Sequence, residues 1–186
     1  ESNQDLIVSA TAQGAIYVWN ADGTPKNYIL HNYEVSSKDA SLEENQERWK
    51  SNPYPKPVYI RDIDISQNNT TMAMAFEDKL LRVWDLESGD LTHLLAGHSN
   101  WPTDIKFSQN NELLASADKD GNVLIFGMNT GTPIYEFTSE KTVSVSTIVF
   151  SADSRKLASG DDDGNVAIFD VVSGERIFEM NVSEDD

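Results

Sequence analysis

Polar and apolar residues alternate over short stretches of this chain, and the stretches recur. In "DIKFS" (104–108) every second residue is apolar, while "LLAS" (113–116) and "NVLIF" (122–126) are apolar runs of about one strand's length. The segments between such runs are Gln-Asn-Asn, Asp-Gly and Ser/Thr-x-Gly, residue types that tight hairpin turns favour. After the last turn comes a further run, "LTHLLA" (91–96), "PIYEFT" (133–138) or "RIFEMN" (176–181). The pattern predicts units of four short antiparallel strands.

The units have a fixed period. Trp84, Phe126 and Phe169, each closing a third strand, are 42 and 43 residues apart. "DIDISQNN" (62–69), "DIKFSQNN" (104–111) and "TIVFSADS" (147–154) open the units; "LLRVWDLESG" (80–89), "VLIFGMNTG" (123–131) and "VAIFDVVSG" (166–174) close them. A single small sheet cannot bury both its faces, so successive sheets are expected to stack on one another.

An incomplete unit precedes these three. "DLIVSA" (5–10), "AIYVWN" (15–20) and "NYILHN" (27–32) read as its second, third and fourth strands, closed by Trp19. From Trp19 to Trp84 is 65 residues, well over one period, which predicts an insertion. Its "SSKDASLEENQERWK" (36–50) has cap residues, good helix formers, and Leu42 and Trp49 seven apart on one face, so a short amphipathic helix is expected, ended by the prolines of "SNPYPKP" (51–57). Two readings compete there: a solvated decoration whose Trp49 packs on its own unit, or a docking element presenting Leu42 and Trp49 to a partner. The expected organisation is an incomplete first blade over 1–30, the insertion over 31–57, and further blades over 58–96, 97–139 and 140–186, the last with an acidic end.

Charge narrows the function. Thirty-one acidic against 14 basic side chains give a formal charge of −17, which repels nucleic-acid phosphates. No cysteine is present, hence no disulfide framework and no thiolate metal site. No apolar run reaches the roughly 20 residues of a membrane-spanning helix and no secretory pattern opens the chain, so a cytoplasmic or nuclear location is expected. The sequons at Asn68, Asn69 and Asn181 matter only for a secreted protein, and matches of this kind arise easily in Asn-rich turns. Asp161, Asp162 and Asp163 invite a calcium reading, but alternation along a strand sends neighbouring side chains to opposite sides, and no metal or cofactor is expected.

Several features at one spacing resemble the WD-repeat, or G-protein-beta-like, family: Gly97-His98, the "FS-x-x-x-x-x-LAS" stretch, an Asp six residues before the closing aromatic, and Trp84-Asp85. The resemblance implies an all-β propeller segment of about four blades, each a four-stranded antiparallel sheet, the first incomplete. It also implies a buried hydrogen-bond chain from a histidine through a strand Ser/Thr and a turn aspartate to a Trp N–H. His98, Ser116 and Asp120 match three members, while Phe126 has no N–H to donate. Ser159 and Asp163 match in the last unit, where Lys141 and Phe169 replace the others; Asp78 and Trp84 match in the second, beside Lys56 and Met74. Family members usually need about seven blades to close a ring. A chain that opens on Glu1 therefore reads as part of a longer propeller, as one of two chains sharing a ring, or as an open wedge held by a partner.

In such propellers one face commonly receives peptides or protein loops. By register that face would carry Tyr59, Arg61 and Glu77 from one blade, Trp101, Thr103 and Lys119 from the next, and Ser144, Ser146 and Asp162 from the last. Tyr, Trp and Arg often anchor interfaces; the competing reading is that Tyr59 and Trp101 merely shield the blade junction. The expected function is a non-catalytic scaffold binding other proteins within a complex, with a half-propeller completed by another chain as the alternative. A propeller enzyme is disfavoured, because His31, His93 and His98 do not converge and no nucleophile elbow or phosphate loop is present.

Overall fold

The alternation described above folds into short strands joined by tight turns. The structure is a computed structural model, and it describes residues 6–10, 15–30, 59–138 and 142–182. The inter-unit insertion, with Leu42, Trp49 and Lys56, lies outside the described residues, as does Lys141.

The first sheet holds β1 (Leu6–Ala10), β2 (Ala15–Asn20) and β3 (Pro25–Leu30). The second holds β4 (Ile60–Ile65), β5 (Thr71–Phe76), β6 (Leu81–Asp85) and β7 (Leu91–Leu95). The third contains β8 (Pro102–Phe107), β9 (Leu113–Asp118), β10 (Val123–Gly127) and β11 (Thr132–Phe137). The fourth contains β12 (Val145–Phe150), β13 (Lys156–Asp161), β14 (Asn165–Asp170) and β15 (Glu175–Asn181). Within each sheet the strands lie in chain order and pair antiparallel, and no helix occurs among the described residues.

The repeat extends to irregularities that a pattern of apolar residues does not encode. Each third strand bulges against its fourth at the closing aromatic: Val18/Trp19, Val83/Trp84, Ile125/Phe126 and Ile168/Phe169. The turns between first and second strands place Asn69, Asn111 and Ser154 at φ 57°, 62° and 58°. The next turn uses Gly121 and Gly164 in the left-handed region, but Lys79 in the second sheet, at φ 71°. A side chain there carries a steric cost that glycine avoids.

The sheets stack through their alternate residues. Val8 and Val18 of the first meet Met72, Met74, Phe76 and Trp84 of the second. The other face of the second sheet, with Ala73, Ala75, Leu81, Val83 and Leu95, meets Ile105, Phe107, Leu114, Leu124 and Phe126 of the third. Ala115, Ala117, Val123 and Ile125 of the third in turn meet Ile148, Phe150, Leu157 and Phe169 of the fourth. Trp84, Phe126 and Phe169 are buried in equivalent places, each facing the preceding sheet and each paired with the second residue of its own second strand, Met72, Leu114 and Leu157.

Carboxylates tie the first strands together. Asp62 accepts the Ile105 N–H at 3.0 Å, Asp104 accepts the Ile148 N–H at 2.8 Å, and Asp64 accepts the Phe107 N–H at 2.7 Å. Lys106 donates to Asp62 at 3.1 Å and to Asp104 at 2.6 Å. Burial pushes both carboxyls upward, and their mutual contact separates them: Asp62 stays above the usual carboxylate value, whereas Asp104, bonded by Lys106 and the Ile148 N–H, falls below it.

Candidate protein-interaction face

One backbone hydrogen bond per sheet joins the segment before the first strand to the turn between the second and third. Glu77 N–H donates to the Tyr59 carbonyl at 3.0 Å, Lys119 N–H to the Trp101 carbonyl at 3.2 Å, and Asp162 N–H to the Ser144 carbonyl at 3.0 Å. These bonds gather the residues named for the face at one end of the stacked sheets.

Trp101 is the centre of the group. The Arg61 guanidinium lies 4.8 Å from its ring centroid and the Lys119 ammonium 4.9 Å, so two cations from neighbouring sheets stack on one indole. Arg61 is also paired at 2.5 Å with Glu77 of its own sheet. Despite these contacts Trp101 remains 36% exposed, and Tyr59 is 54% exposed. Lys79 adds a third cation, its Nζ donating to the Ser99 carbonyl at 2.7 Å. It is missing from the sequence-derived set, and its only signal is a Lys where the sister turns have Gly121 and Gly164.

The other named residues are engaged differently. Thr103 Oγ1 donates to the Val145 carbonyl, tying the third sheet to the fourth, and Ser146 Oγ bonds Asp162. The fourth sheet thus offers small polar groups already committed to each other, so the aromatic and cationic part of the face belongs to the second and third sheets.

Beneath Trp101 lies the buried network, with one change of member. His98 Nε2 is 2.6 Å from Ser116 Oγ, and His98 Nδ1 is 3.1 Å from Asp118 Oδ2, not from Asp120. The reason is alternation: Ser116 and Asp118 point to the same side of β9, and that side is buried, whereas Asp120 sits in the turn beyond. Asp120 instead accepts from Ser99 Oγ and Asn100 Nδ2, both at 2.8 Å, and so steadies the loop that carries Trp101. Burial raises the Asp118 carboxyl, but hydrogen bonds from His98 and Asn122 outweigh it and lower the pKa to about 2.

The sister positions diverge in the same way. Asp161, not Asp163, closes its turn in the fourth sheet, accepting from the Asp163 N–H at 3.0 Å and from the Asn165 side chain at 2.7 Å, while Ser159 is buried on β13. In the second sheet Phe76 stands at that place, and Asp78 forks onto the buried Arg82 at 3.1 and 2.5 Å. Arg82 lies 4.4 Å over the Phe76 ring, and Trp84 is buried among Met72, Met74 and Phe76.

Stacked antiparallel sheets with this repeat define a segment of a β-propeller, and comparison with known proteins agrees. The family profile described as "Anaphase-promoting complex subunit 4 WD40 domain" matches residues 105–186, and that described as "WD domain, G-beta repeat" matches residues 54–85. The chain belongs to the WD-repeat β-propeller family. It is similar to the cilia- and flagella-associated protein 52 of Homo sapiens, 35% identical over 35% of this chain and 10% of that protein. It is also similar to the ribosome biogenesis protein WDR12 homolog of Dictyostelium discoideum, 28% identical over 50% of this chain and 22% of that protein. The nuclear distribution protein PAC1 of Komagataella phaffii is 23% identical over 70% of this chain and 33% of that protein. The match therefore spans between a tenth and a third of these relatives' lengths. WD-repeat proteins are in general non-catalytic scaffolds for protein–protein interaction.

Proposed function

We propose that this chain is a rigid, non-catalytic scaffold that receives a loop or peptide of a partner protein on the face around Trp101, within a multiprotein complex of the cytoplasm or nucleus. One observation carries the reading: an indole with Arg61 and Lys119 both stacked against it keeps a third of its surface open, and Tyr59 of the neighbouring sheet is exposed too. Large aromatic area that is already immobilised loses little entropy on binding. Arg61, Lys79 and Lys119 around it, on a chain of net charge −17, favour a segment with both apolar and acidic side chains.

The test starts from the partner that copurifies with the protein, titrated against wild type, Tyr59→Ala and Trp101→Ala. Weakening of ten-fold or more for Trp101→Ala with an unchanged melting temperature supports the assignment; equal affinities for all three remove it.

A second, architectural reading has the segment completed by another chain. It is favoured by the fourth sheet, whose face away from the third exposes Val149, Phe178 and Met180 among the described residues.

A further inference from the structure

The turn between second and third strands sets one side chain beside the first strand of its own sheet, and the three sheets fill that place differently. In the second sheet Glu77 accepts from Arg61 at 2.5 Å, and in the fourth Asp162 accepts from Ser146 Oγ. Each of those turns carries an acid that a first-strand side chain holds. The third sheet inverts the sign. Lys119 stands at the equivalent place, fixed by the same backbone bond, while Thr103, the counterpart of Arg61 and Ser146, turns to the Val145 carbonyl.

The Lys119 ammonium lies 4.9 Å from the Trp101 ring centroid, and among the described residues no carboxylate pairs with it or with Lys79. The other acids at this end are already engaged. Asp78 holds Arg82, Asp120 accepts from Ser99 and Asn100, and Asp162 accepts from Ser146.

Arg61, the second cation on the indole, is engaged as well, by Glu77. That pair sits at the surface, its side chains 36% and 23% exposed, and such pairs contribute little because water competes for both charges. A second carboxylate arriving beside Arg61 meets Glu77 as a like charge. Excluding water on binding strengthens that repulsion.

Resting on the reading of a partner segment around Trp101, we infer that the face takes an acidic side chain of that segment against Lys119, and that Glu77 is its intrachain competitor. The partner's carboxylate supplies the counter-charge that the third sheet lacks. Glu77 meanwhile keeps Arg61 from joining Lys119 in holding it, and so sets the affinity for acidic segments. A merely structural Glu77, one that orients Arg61 on the indole, has the opposite sign: its loss weakens binding.

The test uses two probes on the full chain: N-acetylglutamate, followed by NMR on the Trp101 indole N–H, and the copurifying partner, followed by calorimetry. Glu77→Gln keeps the side-chain length and leaves the backbone bond to the Tyr59 carbonyl in place. N-acetylglutamate is expected to shift the Trp101 signal saturably, about three- to ten-fold more tightly in Glu77→Gln than in wild type, with no saturation in Lys119→Gln. Glu77→Asp retains the charge and should not tighten. For the partner, Glu77→Gln should gain a similar factor, and the gain should vanish when Arg61→Gln is added.

Weaker or unchanged binding of both probes by Glu77→Gln overturns the inference, as does a response to N-acetylglutamine equal to that with N-acetylglutamate. Absence of saturation by N-acetylglutamate in both wild type and Glu77→Gln does the same. Partner binding weakened by Trp101→Ala but indifferent to Glu77→Gln removes the competitor and leaves the partner face standing. Indifference to both substitutions removes the face as well.

Discussion

The carboxylate of Asp104 accepts the backbone N–H of Ile148 at 2.8 Å, across the junction between the third and fourth sheets. Both residues are buried, so removing the acceptor leaves an N–H without its partner and Lys106 with one carboxylate fewer. Asp104→Ala is expected to destabilise by about 1–3 kcal/mol. Asp62→Ala should cost less, because Ile105 N–H also reaches Asp104 Oδ1 at 2.9 Å. Urea unfolding of the two variants, compared at equal slope, checks the order.

Acid should act through Asp118. Its folded-state pKa is lowered to about 2 from an ordinary 3.8, so its contribution is fully present above pH 4 and is lost as the pH falls towards 2. The shift corresponds to ~2 kcal/mol. Asp118→Asn should therefore lower stability at neutral pH and flatten the acid limb of a stability–pH curve. A parallel downward displacement of the whole curve would assign that limb to other groups.

Asp64 should behave with the opposite sign. Burial raises its carboxyl above the ordinary value, so the cost of ionising it is absent at low pH and grows as pH rises through the folded-state pKa. Asp64→Asn keeps an oxygen for the Phe107 N–H and removes the charge. A higher melting temperature at pH 7 that disappears near pH 3 is expected, read by thermal scans at the two values.

Lys79 occupies a left-handed turn position filled by glycine in the next two sheets. Lys79→Gly relieves that strain and forgoes the bond to the Ser99 carbonyl, for a net gain of up to about 1 kcal/mol. The same substitution removes a cation beside Trp101, so partner affinity should fall while stability rises. Affinity and melting temperature moving in the same direction would contradict the assignment of Lys79 to the face.

The period, the strands and the stacking were legible because alternation and turn residues report directly on burial. Trp84, Phe126 and Phe169 could be matched by counting alone. The polar details were not legible, since counting does not say which of two nearby aspartates points inward. Asp118 rather than Asp120 meets His98 because it ends a strand on its buried side, and that requires the position at which β9 stops. Nor does spacing reveal that Asp78 would pair with Arg82, as the sister positions Leu124 and Ala167 carry no charge. Tyr59, Arg61, Trp101 and Lys119 were assigned to one face by register, but the stacking of two cations on one indole depends on how neighbouring sheets lean together.

The second and third sheets are the ones whose two faces are both packed by described neighbours. Opening events should therefore start at the outer sheets and move inward like a zip, since each departing sheet uncovers the next. Amide exchange would then be slowest in β5, β6, β9 and β10, making the middle of the molecule a clock for how many neighbours are still in place.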